Sequence, residues 1–299
     1  METNYDTLRE RSISLGEEAE ARMSEGDLSA AEKLYLQALE IDETLCRELD
    51  TVRAHRDLGI TRQALSELYR DMGELDIAEE MVSNAIPQFE WVLEREDSLE
   101  NRQDLAMSHV GLSTVLLFKG AYLPAENAAA RGLAYLERNA RESSTPETLR
   151  ALTVGLTRMS DLRIRQDDPA AALFYCSRSL PIREELAAHL NTPDARRDLS
   201  VNLIDMADIC HAVGKPEESM SYLERALEIR LALNEGQETP DTLNDVGTVY
   251  MKMGYLRRPP DRELLQRAFD LYTELAERYP EIALFHQYRD MLSESLAEL

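Results

Sequence analysis

The chain has 299 residues, 43% hydrophobic and 6% aromatic, with a formal net charge of −24. Acids outnumber bases 26 to 10 in residues 1–100, and with no basic tract anywhere such a chain repels phosphate backbones, which argues against nucleic-acid binding. No stretch approaches the roughly 18 uninterrupted apolar residues of a membrane span, the polar segment Met1–Glu10 lacks the apolar core of a secretory signal, and Cys46, Cys176 and Cys210 form no CxxC pair, which suits reduced thiols in a cytoplasmic protein.

From the N-terminus onward the chain repeats itself every 47 residues. Thr51, Ser98, Thr145, Thr192 and Thr239 keep that spacing, with Asn4 one period upstream, and a second ladder runs Gly26, Gly73, Gly120, Asp167, Gly214. Fixed self-similarity at this length belongs to solenoids, whose units stack rather than share one central core. Each period reads as two helices. The Thr or Ser is an N-cap that accepts a bond from a first-turn N–H. The proline that follows in Thr145-Pro146-Glu147, Thr192-Pro193-Asp194 and Thr239-Pro240-Asp241 fits the first helical position, and the acid after it suits the positive end of the helix dipole. The glycine ends this helix A, and helix B runs on to the next cap. In chain order the pattern predicts helices near 5–25, 28–49, 52–72, 75–96, 99–119, 122–142, 146–166, 169–190, 193–213, 216–234, 240–253, 262–278 and 282–297. The sixth period is shortened between Thr239 and Gly254, and Tyr255–Asp261 reads as an irregular loop before the last B helix.

Helix B carries small residues at fixed places: Ala31, Ala78, Ala125, Ala172 and Ser219, then seven residues on Ala38, Ala85, Gly132, Ser179 and Ala226. Small residues there allow close helix approach. A small, a bulky and a second small residue after a Gly-Asp or Gly-Lys turn resembles the second helix of a tetratricopeptide (TPR) repeat. The unit differs from the usual 34-residue repeat in its longer helices, and in outline it is similar to kinesin-light-chain-like and bacterial signalling arrays. The resemblance implies an all-α, right-handed α-solenoid of about six helix pairs, one array over 1–299 with repeats about 4–50, 51–97, 98–144, 145–191, 192–238 and 239–280, and a capping helix in 281–299.

Motifs for chemistry are missing. There is no Walker A loop, GxGxxG or HExxH, and the five histidines lack ligand spacing, so no catalytic residue, cofactor or metal is expected. Cys210 falls on a packing position, and Asp167-Asp168 reads as a turn and cap. In TPR arrays the concave wall is lined by the A helices and binds protein or peptide. Projected from the resemblance, that wall offers Arg56, Gln63, Glu67 and Arg70 in repeat two. The binding surface is expected on repeats three to five: Val110, Thr114, Leu117, Arg150, Thr157, Asp161, Ile164, Arg197, Ile204, Asp208 and His211. Arg9, Arg56, Arg150 and Arg197 share one register, broken by Gln103, with acids following at Glu10, Asp57, Asp104 and Asp198. Such a row is either an inter-repeat salt ladder or a rim that grips a partner's carboxylates. The Lys/Asn/Lys/Arg clamp that some TPR domains use for chaperone tails is not matched. A protein-binding scaffold or adaptor is the expected function. A peptide-sensing regulatory module of a larger bacterial signalling system and a self-assembling module, with a homo-oligomer, are the alternatives.

Overall fold

The computed structural model of the protein describes residues 2–299, with side chains from residue 5 onward. The described residues form thirteen helices and no strand. They are α1 (Glu2–Ser24), α2 (Leu28–Leu49), α3 (Val52–Asp71), α4 (Leu75–Arg95), α5 (Leu99–Phe118), α6 (Tyr122–Glu142), α7 (Pro146–Arg165), α8 (Pro169–Leu190), α9 (Pro193–Ala212), α10 (Pro216–Gly236), α11 (Pro240–Leu256), α12 (Arg262–Arg278) and α13 (Ala283–Glu298). Every boundary lies within three residues of the sequence expectation. The chain divides into two compact units, Met1–Gln166 and Asp167–Leu299.

The caps explain why the boundaries are so regular. Thr51, Ser98, Thr145, Thr192 and Thr239 each accept a hydrogen bond from the backbone N–H three residues on. Thr145 and Thr239 close full capping boxes with Thr148 and Thr242. Asn4, the upstream member of this ladder, lies inside α1, and its side chain falls outside the described residues. The glycine ladder ends the A helices at positive φ, from +74° at Gly120 to +83° at Gly73. Asp167 takes the same left-handed conformation, φ 58°, without glycine's freedom. Asp168 next to it caps α8 through Ala171 N–H.

Gly254 corrects the reading of the sixth period. It does not end a helix: α11 runs through it to Leu256, and a Cβ on Gly254 would stand 2.6 Å from Leu265 Cδ2. Its glycine is required by the close approach of α12 rather than by a turn. Two B helices also tolerate an interior proline at one register, Pro87 in α4 and Pro181 in α8, each lacking one helical N–H donor.

In the first unit α1 packs on α2, α3 on α4 and α5 on α6, while each B helix also packs on the next A helix. The second unit repeats the pattern with α9 on α10 and α11 on α12, and α13 covers α12. The small B-helix positions are where the helices touch: Ala31, Ala78, Ala125 and Ala172 are fully buried, as are Ala85 and Ala226. Gly132 has no room for a side chain, because its Cβ would lie 2.8 Å from the Ala106 carbonyl oxygen. Cys210 is buried, and burial pushes its thiol up, as a packing residue requires. No helix among the described residues is long and apolar enough to cross a membrane.

Candidate binding site

The A helices of the first unit wall a cavity of about 860 Å³, lined mainly by α1, α3 and α5, with Tyr35 and Asp42 from α2 and Phe89 from α4. Its wall follows from helical periodicity. Counting from Arg9, positions 4, 7, 8 and 11 further on share a face, and each recurs one 47-residue period later. Position +4 is aliphatic in five consecutive repeats: Ile13, Ile60, Met107, Val154 and, in the second unit, Val201. These side chains stay in contact with solvent, Ile13 at 42%, Ile60 at 44%, Val154 at 36% and Val201 at 43% exposure. Met107 is half-buried. Isolated exposed aliphatics are ordinary, but a register that remains apolar and in contact with solvent repeat after repeat is not.

Beside this column runs the arginine row, and its partners lie one repeat on. Arg9 donates to both carboxylate oxygens of Asp57, at 2.5 and 3.1 Å. Arg56 bonds Asp104 at 2.6 Å and Glu100 at 2.6 Å. In the second unit Arg197 reaches Asp245 at 3.1 Å. The row is therefore an inter-repeat ladder at these three positions, and their guanidiniums already hold carboxylates of the chain itself. Arg230 reinforces the second-unit rung from below: buried on α10, it donates to the Asp245 carbonyl at 2.5 Å. Arg183, one period earlier, donates to the Asp198 carbonyl at 3.2 Å in the same way.

The cavity also contains a buried acid. Asp42 is 2% exposed; its Oδ2 accepts a 2.6 Å bond from Thr61, while Oδ1 has no partner. Burial pushes its carboxyl up, against the hydrogen bond from Thr61, which pulls it down. Glu67 is exposed, yet its crowded surroundings raise its carboxyl, opposed by Gln63 and Arg70. Among the described residues no group of three or more His, Cys, Asp and Glu side chains converges to hold a metal.

None of the eleven residues expected to form the binding surface lines this cavity. In the first unit Val110 and Thr114 are buried, and the Thr114 hydroxyl turns back onto the Val110 carbonyl at 2.9 Å. Leu117 and Thr157 are half-buried, while Arg150 and Ile164 are exposed. Asp161 accepts from Arg158 at 3.2 Å, and burial raises its carboxyl. In the second unit Ile204 packs in the core with Leu203 and Ala207. Asp208 is held by Lys252 at 2.7 Å, and His211 is exposed. Val110, Thr114 and Ile204 thus belong to the packing and not to an open surface, because their register also faces the neighbouring helices. The repeat-two residues Arg56, Gln63 and Glu67 do line the cavity. Position +4, absent from the expected surface, was legible as a second periodic row on the same face.

The family model of the tetratricopeptide repeat matches residues 203–237, the second half of α9 and all of α10. That stretch is one tetratricopeptide-type repeat, and the same A–B helix pair recurs along the chain. The match begins after Val201, so most of what lengthens this unit lies in the first half of helix A, which carries both the aliphatic column and the arginine ladder. No curated protein sequence matches the chain. Among solved structures it is similar to the nuclear import adaptor Nro1 of S. pombe, at 16% identity over 98% of this chain and 97% of that one, TM-score 0.60. It is similar to BtubC (BKLC) from P. vanneervenii, at 21% identity over 78% and 90%, TM-score 0.58. The signal-transduction ATPase with numerous domains and a tetratricopeptide repeat sensor from Pyrococcus horikoshii aligns with 96% of this chain at 12% identity and TM-score 0.59, over 42% of its own length. At these identities the likeness is one of fold.

Proposed function

We propose that the chain is a non-catalytic scaffold or adaptor that binds a protein or peptide segment on the A-helix wall. The observation that carries this reading is the column Ile13, Ile60, Met107 and Val154, kept apolar and in contact with solvent, whose first three members line the 860 Å³ cavity. Aliphatic side chains at fixed register cost solubility when exposed, and a partner segment laid across them buries their surface at roughly 25 cal/mol per Å². The comparison with a nuclear import adaptor of the same fold is consistent with such a role. The ladder holds adjacent A helices in fixed register, which keeps the wall preformed and lowers the ordering cost of binding.

The reading is tested with Ile60→Asp and Val154→Asp variants, first shown to keep the parent's helicity and melting temperature, in affinity capture from the native lysate. Proteins retained by the parent are lost from both variants if the wall binds them. Equal retention moves the interaction to the B-helix side or the turns.

A further inference from the structure

We propose that the cavity of α1, α3 and α5 selects a basic partner segment, taking a lysine or arginine beside Asp42 while aliphatic neighbours of that residue pack on Ile13, Ile60 and Met107. The inference rests on the binding role proposed above and adds the chemistry of the partner.

Charge within the lining comes first. Six carboxylates face two guanidiniums, and both guanidiniums are already bonded, Arg9 to Asp57 and Arg56 to Asp104 and Glu100. Glu17, Glu20, Asp42 and Glu67 form no ion pair with either guanidinium of the lining, although the Arg9 charge still acts on Asp42. Each unit of this excess draws cationic groups and repels acidic ones, and the net −16 of residues 1–100 extends the same field outward.

Asp42 supplies an independent reason. A buried polar atom is normally satisfied, and a carboxylate oxygen left without a donor costs more than a neutral group would. Oδ1 of Asp42 is such an atom within the lining, and Thr61 already occupies the other oxygen. An ammonium or guanidinium brings several N–H donors and a charge to that position in one group. The register decides what accompanies it. Asp42 sits on helix B behind the wall, whereas Ile13, Ile60 and Met107 sit on the wall itself, so a segment reaching the carboxylate lies across the aliphatic column. A volume of about 860 Å³ is room for several side chains, more than one isolated ammonium needs.

The test uses the full chain and fluorescence anisotropy with four probes: a labelled twelve-residue Lys-Leu peptide, its fully lysine-acetylated form, a Lys-Ser peptide of the same charge, and spermine as competitor. The Lys-Leu peptide binds, while the acetylated and Lys-Ser peptides bind roughly tenfold or more weakly and spermine competes poorly. Asp42→Asn weakens the Lys-Leu complex by roughly the same factor. Glu20→Gln/Glu67→Gln, on exposed positions that do not support the core, weakens it as well and serves if Asp42→Asn unfolds. Equal affinity for acetylated and unmodified Lys-Leu peptides overturns the cation while leaving the wall as a binding surface. Equal affinity for Lys-Ser and Lys-Leu, or full competition by spermine, reduces the site to a diffuse acidic surface and overturns the proposal. Binding of no peptide overturns this inference, while the reading it rests on stands or falls separately on the Ile60→Asp and Val154→Asp capture.

Discussion

Arg56 on α3 and Asp104 on α5 stand 48 residues apart in sequence and 2.6 Å apart in space. The period of 47 places an arginine one residue short of the next repeat's acid, so a single sequence relationship yields a bond between stacked units, and it recurs at Arg9–Asp57 and Arg197–Asp245. Burial alone would lower the Arg56 guanidinium, but the bonds to Asp104 and Glu100 leave it raised; for Asp104 burial outweighs the pairing and its carboxyl is raised too. The pair is thus partly desolvated and mutually dependent. Arg56→Met leaves Asp104 crowded and unpaired, with an expected loss of about 1–3 kcal/mol in urea unfolding. Adding Asp104→Leu recovers most of that loss. A double variant as unstable as the single one removes the coupling.

Ala78 in the first unit and Ala226 in the second are fully buried where helix B meets helix A. Ala78→Leu and Ala226→Leu each force apart a close approach and cost about 1–3 kcal/mol. Because each repeat rests on its neighbours, hydrogen exchange should accelerate in the adjoining repeats as well as in the altered one. Parent-like thermal unfolding of both variants contradicts the packing role.

Asp167 holds a φ of 58° at the place where four other repeats use glycine. A Cβ in that region is strained, although aspartate bears it better than most residues. Asp167→Gly is expected to raise stability by about 0.5 kcal/mol, relief of strain exceeding the larger chain entropy of unfolded glycine. Gly73→Ala, the converse change at φ 83°, is expected to cost about 1 kcal/mol. Denaturant midpoints of the two variants moving in the same direction would refute this.

His109 is buried on α5, its Nδ1 without a partner, and burial together with the Arg131 charge lowers its pKa from 6.5 to about 4. Above pH 6.5 the ring is neutral in both folded and unfolded chains, and it contributes no pH dependence. Between 6.5 and about 4 the unfolded chain binds a proton that the folded chain refuses, so stability falls as pH falls, by about 3 kcal/mol over the whole window. Asp42, Glu67, Asp104 and Asp161 act with the opposite sign, since their raised carboxyls take protons more readily when folded. The His109 part is therefore read as the difference between the parent and His109→Leu in urea unfolding across pH 4–7. Parallel curves for the two proteins would show that His109 is not held neutral.

The amino-acid sequence determined the array. Thr51, Ser98, Thr145, Thr192 and Thr239, the glycine ladder and the small residues of helix B act through local bonds and close contacts that a fixed period repeats, so helix number, boundaries and pairing can be read without coordinates. It also showed that Arg9, Arg56, Arg150 and Arg197 share a register, and that Ile13, Ile60, Met107, Val154 and Val201 share another. Only the tertiary structure decided what lies opposite those rows. A residue on helix A meets its own B helix, the preceding B helix or open space, and helical periodicity fixes its direction without fixing which of these stands there. That is why Val110, Thr114 and Ile204 lie in the packing, while Ile13 and Ile60 line a cavity. For the same reason Gly254 marks a close contact with Leu265 rather than a turn, and Asp42, an acid in one B helix, keeps an unpartnered oxygen beneath the wall.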